Sequence, residues 1–199
     1  MAKFYAVRNG RHIGIYNTWE ECREEVSGYS GAEYKSFPTY DEAVSYIGGQ
    51  ISLFDEPQTD DTTAVAYVDG SYRADTAEFA CGVVIFYGGR ELTFSESFSD
   101  PALASMRNVA GEIKGAQKAM NYCAENGIKN LDIYYDYEGI EKWCTGEWKT
   151  NKEGTIAYKQ FYDIISKSVN VSFNKVKGHS GDKYNDMADR LAKDALGIE

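Results

Sequence analysis

A chain of 199 residues with 43% hydrophobic content is long enough to bury a real core, which excludes disorder as its default state. Its four cysteines, Cys22, Cys81, Cys123 and Cys144, show neither CxxC pairing nor regular spacing, so neither a zinc knuckle nor a disulfide framework is implied. The net charge of −10 speaks against a phosphate-rich partner, and no apolar run approaches a membrane span.

The charge is unevenly placed. Residues 1–50 carry −2, residues 51–63 carry −4 and residues 64–199 carry −4. Part of the excess therefore sits in a short intervening stretch. Four acids of the last segment would be offset if they held cations. The opening MAKFYAVRNG lacks an apolar signal core, and with unpaired cysteines a reducing, cytoplasmic setting is expected. No membrane association is expected, and a monomer is.

Residues 3–8 and 11–16 read as strands joined at Asn9-Gly10, a two-residue type I′ hairpin signal. Thr18-Trp19-Glu20-Glu21 is a capping box that opens a helix to about Val26. Residues 33–37 form a third strand, and Thr39-Tyr40-Asp41-Glu42 opens a second helix that Gly48-Gly49 ends. This predicts a small ββαβα domain over residues 1–49. Residues 50–63 are acidic, contain a proline and have no sustained period, which predicts a linker. Fourteen such residues would span roughly 20 Å on average.

From residue 64 the pattern predicts strands at 64–69, 79–87 and 91–98, the last two joined by Gly88-Gly89. A long helix over about 105–125 carries an apolar stripe of Val109, Ile113, Ala116, Met120 and Cys123. A strand at 130–135, short helix at 137–144, helix at 155–168, strand at 171–176 and closing helix at 183–196 follow. A hairpin meander leading into alternating helices and strands predicts an α/β fold over 64–199: a mixed five-stranded sheet flanked by helices. The small first domain would hold a three-stranded antiparallel sheet and two helices.

Asp69 closes the first of these strands, where it is expected at a sheet edge rather than buried. Asp-Gly is also an ordinary turn pair. Glu112 lies one position off the apolar stripe, where a solvent-facing acid is equally natural. Asp136 ends the strand NLDIYYD, and Asp189 shares its helix with Asp182 and Asp186. Four converging acids repel unless divalent cations neutralise them, and all-oxygen ligation suits Mg²⁺ or Mn²⁺. His179, in a glycine-rich loop before the last helix, is placed for proton transfer or product departure.

Together these pieces closely resemble ribonuclease H of the type 1 family over nearly the whole chain. The matching motifs are Asp69-Gly70-Ser71, Asn108 to Glu112, Asp136, and Gly178-His179-Ser180-Gly181 through Asn185 to Asp189. They select Asp189 over Asp186. FYAVRNGRHIGIY, the Trp19 helix and AEYKSF resemble the hybrid-binding domain attached to many members. The resemblance implies an endonuclease that hydrolyses the RNA strand of RNA–DNA hybrids and leaves 5′-phosphate and 3′-hydroxyl ends. Two Mg²⁺ ions, with Mn²⁺ as a substitute, would be held by Asp69, Glu112, Asp136 and Asp189. Substrate contacts would fall to Gly70, Ser71, Asn108 and Asn185, and to Trp148, Lys149, Thr150 and Asn151 along a DNA-strand channel. In the first domain Trp19 and Tyr34 would meet DNA sugars and Lys35 a phosphate. The chain between Asp136 and Trp148 is too short for the basic helical handle of some members. Competing readings are a binding protein on an inactive nuclease fold, and a resolvase- or integrase-like enzyme of the same superfamily.

Overall fold

The computed structural model describes residues 4–11, 14–16, 18–39, 42–43, 46–47, 62–176 and 182–198. The chain divides into two compact units, residues 1–58 and 59–199. The division falls inside the acidic stretch, of which residues 50–61 lie outside the described residues. Thr63, placed in the linker by composition, is the first residue of a strand.

In the first unit, β1 (Phe4–Asn9) lies between β2 (Gly14–Tyr16) and β3 (Glu33–Phe37), antiparallel to both. Successive strand residues face opposite ways. Ala6 packs with Ala43 and Ile47, and Val7 with Cys22 and Val26, so both faces of β1 are covered. α1 (Trp19–Val26) carries the capping box read from sequence: Glu21 N–H donates to Thr18 Oγ1, and Thr18 N–H donates to Glu21 Oε2 at 3.0 Å. At the second helix, Glu42 N–H donates to Thr39 Oγ1, but Tyr40, Asp41 and the Gly48-Gly49 stop lie outside the described residues.

The two-residue hairpin at Asn9-Gly10 is not what forms. Among the described residues Val7 pairs with Gly14, a register that residues 8 and 11 joined by Asn9-Gly10 alone would not give, and Gly10 does not take the positive φ that a type I′ turn requires. Gly10 serves instead as a point of close approach: a Cβ there would lie 2.6 Å from Val7 Cγ1 and 3.1 Å from the Glu25 carbonyl oxygen. The next residue, Arg11, donates its N–H to that carbonyl at 2.9 Å.

The second unit is a five-stranded mixed sheet in the order β6-β5-β4-β7-β8. β4 (Thr63–Arg73), β5 (Glu78–Tyr87) and β6 (Arg90–Phe98) form the antiparallel meander. The Gly88-Gly89 turn has positive φ at both residues, as a type I′ hairpin needs. β7 (Asn130–Tyr135) and β8 (Asn170–Lys175) add in parallel. β4 runs past Asp69 to Arg73, so the aspartate sits inside the strand, opposite Gly82.

The helix expected over 105–125 forms as one helix that starts three residues later, and a separate single turn precedes it. Asp100 caps the single turn α2 (Pro101–Ala104), and Arg107, at φ 54°, breaks the path before α3 (Asn108–Glu125). α4 (Gly139–Thr145), α5 (Glu153–Ile165) and α6 (Lys183–Ala195) complete the unit. Strand alternation sorts the core. Ala64, Ala66 and Val68 pack with α3, whereas Val65 and Tyr67 pack with Tyr184 and Ala188 of α6, so the two helices cover opposite faces.

Glycine lets α6 press onto β5, because a Cβ on Gly82 would lie 1.9 Å from the Ala188 carbonyl oxygen. Backbone cannot yield as a side-chain tip can. Gly82→Ala should therefore cost about 3 kcal/mol by overpacking, read as a lower urea midpoint at unchanged slope, whereas an unaltered midpoint would contradict this packing.

Candidate active site

β4 has β7 beside it only as far as Tyr67, which pairs with Tyr134. Beyond that point one side of β4 is open, and β7 ends one residue before Asp136. The notch is where carboxylates from both sheet faces meet. Asp69 shares the strand parity of Val65 and Tyr67, on the α6 side. Glu112 comes from α3 on the other side, and Gly70 makes room for it: a Cβ on Gly70 would lie 2.5 Å from Glu112 N and 3.0 Å from its Cγ. Carboxylate oxygens of Asp69, Glu112 and Asp136 lie within 4.8 Å of one another.

Burial overturns one expectation and removes one alternative. Asp69 is 7% exposed rather than raised at a sheet edge, and Glu112, at 2% exposed, does not take the solvent-facing alternative. The reason for the second is that α3 buries a wider face than its apolar stripe, including Ala110, Gly111, Gly115 and Ala119. Gly111 brings it against β5, since a Cβ there would lie 2.0 Å from the Ala80 carbonyl oxygen.

The electrostatics follow from this crowding. Burial, then Asp136 and Asp69, push Glu112 up to about 9, against a lowering hydrogen bond from Asn108. Burial, then Asp136, push Asp69 up to about 7; Asp189 adds to the rise, while the Gly70 N–H and Lys193 oppose it. Asp69 Oδ1 accepts from Gly70 N–H at 2.6 Å, and Glu112 Oε1 accepts from Asn108 Nδ2 at 3.2 Å. Glu112 Oε2 is buried and has no hydrogen-bond partner among the described residues. An orphaned buried oxygen in a trio of hard donors fits a divalent cation, which would satisfy the oxygen and relieve the repulsion.

Asp189 lies outside the trio. Its Oδ2 accepts from Lys193 Nζ at 2.6 Å, four residues along α6. Asn185, one turn earlier, is 2% exposed and its Oδ1 also lacks a partner among the described residues. Ser71 is buried in β4, and Asn108 begins α3 with its amide spent on Glu112. His179 and its loop, residues 177–181, lie outside the described residues.

Tyr137 follows Asp136 directly, and burial with the nearby Glu112 charge raises its hydroxyl pKa. Its ring lies 5.8 Å from Trp143 and 6.1 Å from Trp148, with Lys142 Nζ 5.3 Å over Trp148. Trp148 is thus a half-open aromatic surface one ring away from the carboxylates. Lys149 and Asn151 are exposed and Thr150 half-buried in the segment that follows. The sequence reading missed Tyr137 and Lys193. The i, i+4 spacing from Asp189 was the available signal for the lysine; nothing local marked the tyrosine.

In the first unit, Trp19 lies between Tyr5 and Tyr34, at 5.9 and 5.6 Å between ring centroids. Trp19 is 37% and Tyr34 44% exposed, so these rings form a surface and not a core. Lys35 faces the other way on β3, with its ammonium 5.3 Å over the Phe37 ring.

Residues 3–47 match the family model described as ribonuclease H1 N-terminal domain, and residues 61–197 match that of RNase H. Ribonuclease H1 of Mus musculus is 23% identical, covering 98% of this chain and 89% of its own length. Ribonuclease H1 of Homo sapiens is 25% identical over 96% of this chain and 88% of its own. Ribonuclease H of Saccharomyces cerevisiae is 60% identical over 45 residues, 23% of this chain and only 13% of that protein. The fold resembles that of RNase H1 from the halophilic archaeon Halobacterium salinarum, with a TM-score of 0.57 and 23% identity over 68% of this chain and 98% of that one. It also resembles LC11-RNase H1 in complex with RNA/DNA hybrid, with a TM-score of 0.53 and 17% identity over 67% of this chain and 99% of that one. With most of its length matched, the chain belongs to the ribonuclease H family of enzymes, in the arrangement that joins a ribonuclease H1 N-terminal domain to the RNase H domain.

Proposed function

We propose that this chain is a divalent-cation-dependent endonuclease that hydrolyses the RNA strand of RNA–DNA hybrids, leaving 5′-phosphate and 3′-hydroxyl ends. The observation that carries the reading is the Asp69–Glu112–Asp136 trio, with Asp69 and Glu112 buried and one Glu112 oxygen orphaned, in a chain of this family. Asp69, Glu112 and Asp136, joined by Asp189, would hold two Mg²⁺ ions, or Mn²⁺ in their place. Bound there, the cations supply activation of water and stabilisation of the leaving 3′-oxygen.

The protein's own groups do the rest. Gly70 N–H and Asn108 orient Asp69 and Glu112, so the ligand oxygens are held before any cation arrives. His179 would carry a proton at the departing product. Gly70, Ser71, Asn108 and Asn185 would read 2′-hydroxyls, the group that separates RNA from DNA. Trp148, Lys149, Thr150 and Asn151 would line the path of the DNA strand. Residues 1–49 would serve as a hybrid-binding domain through Trp19 and Tyr34, with Lys35 on the other face of β3, and residues 50–62 as its acidic linker. Two sites on one chain raise apparent affinity by effective concentration, which offsets the absence of a basic handle. A cytoplasmic monomer fits four unpaired, buried cysteines, and no helix among the described residues is long and apolar enough to cross a membrane.

One labelled RNA, offered single-stranded, paired with RNA and paired with DNA, tests the reading. Cutting of the hybrid alone, with Mg²⁺ and not with EDTA, is expected; cutting of all three, or in EDTA, would refute it. Asp69→Asn should abolish cleavage while still shifting hybrid on a native gel, and turnover near that of the unaltered protein would remove Asp69 from the site.

Trp19→Ala should raise KM for hybrid about tenfold, the loss expected on truncating an aromatic contact worth about 1.4 kcal/mol, with kcat at saturation unchanged. A normal KM would assign the small domain another role.

The raised carboxyls also fix a pH response in the cation-free protein. The folded state keeps a proton on Glu112 up to about 9, whereas the unfolded chain loses it near 4.5. The folded state thus binds more protons across that window, and stability falls as pH rises through it. In EDTA the melting temperature of Glu112→Gln should gain on that of the unaltered protein from pH 5 to 9. A gap that does not change with pH would contradict the buried cluster.

A further inference from the structure

Resting on the cation-site reading above, we propose that Lys193 is a built-in competitor for the divalent cation: its ammonium holds Asp189 off the carboxylate trio in the cation-free protein and must release it for the site to fill. Lys193 would thereby set how much cation the site needs.

The pair differs from an ordinary surface contact. α6 carries two acid–base pairs at i, i+4, namely Asp189–Lys193 and Arg190–Asp194. Arg190 and Asp194 are open to solvent at 71% and 53%, while Lys193 and Asp189 are 36% and 21% exposed. The shorter contact, 2.6 against 2.9 Å, belongs to the less exposed pair, where screening is weaker. Asp189 Oδ2 is the atom engaged, and Asp189 is the one carboxylate of the four that lies outside the trio. The same ammonium acts on Asp69, lowering the pKa that burial and its carboxylate neighbours raise. Lys193 is thus a unit positive charge at a place where a doubly charged ion would bind, and the two repel. As a positioning residue it has no need to touch substrate.

The test is Mn²⁺ binding to the full-length protein, read from the electron paramagnetic resonance of the free ion, with no substrate present. Removing the positive charge paired with Asp189 should tighten binding on the order of tenfold in Lys193→Met. Lys193→Arg, which keeps charge and pairing, should bind like the unaltered protein. In an Asp189→Asn background the Lys193→Met gain should shrink to about threefold or less, since the remaining effect is only the field on the trio. Lys193→Met that binds no more tightly overturns the proposal, as does a full gain in the Asp189→Asn background. Mn²⁺ binding that Asp69→Asn abolishes leaves the cation site standing in either case. No such binding in the unaltered protein would remove the site and the competitor together.

Discussion

The second unit is arranged around a cluster of carboxylates whose ionisation is opposed by burial and by their mutual repulsion, which the chain's own donors only partly relieve. Three carboxylates meet within 4.8 Å where β7 stops alongside β4, and Asp189 stands close enough for its charge to reach Asp69. Holding Glu112 at about 9 instead of 4.5 corresponds, at about 1.4 kcal/mol for each unit, to several kcal/mol of unfavourable ionisation. A loop would relax and separate such groups. Asp69 cannot move away, because it lies inside the central strand of the sheet, hydrogen-bonded to β5 and covered on both faces.

The rigidity comes from close approach. Gly70, Gly82 and Gly111 each stand where a Cβ would strike backbone of a neighbouring element, so α3 and α6 sit nearer the sheet than larger residues would permit. This proximity lets short side chains from opposite sheet faces converge through the open side of β4. Burial then strengthens the effect, since the low dielectric that packs the core also raises the pKa of every acid held in it. The stability of the hydrophobic layers offsets a destabilised polar centre, and a cation would reverse its sign.

The first unit solves a different problem. Over residues 1–58 it covers both faces of β1 by using small and medium side chains, Ala6 and Val7, against residues from two helical segments. Two aromatic rings, Trp19 and Tyr34, are left at the surface in contact with each other, and Trp19 also meets Tyr5, which packs against the Val7 core. Large rings kept out of so small a core are costly unless they meet a partner, which is why their exposure bears on binding more than on stability.

The candidate site residues were legible in the chain because motif order does not depend on packing: DGS, N-x-x-x-E, a strand-ending aspartate and GHSG…N…D stand in an order that resembles the ribonuclease H pattern. Local signals also determined the elements they govern, such as the Thr18 capping box and the paired glycines at 88–89, since those interactions span only a few residues. Burial was decided by tertiary structure alone. Whether Glu112 faces water depends on how closely α3 approaches the sheet, and that depends on Gly70 and Gly111 meeting backbone more than thirty residues away. The Asn9-Gly10 hairpin failed for the same reason, because a contact with Glu25 outweighs the local turn preference. Sequence determined which groups are present and in what order; only the folded packing decided which of them share a dielectric, a charge field and a neighbour such as Lys193.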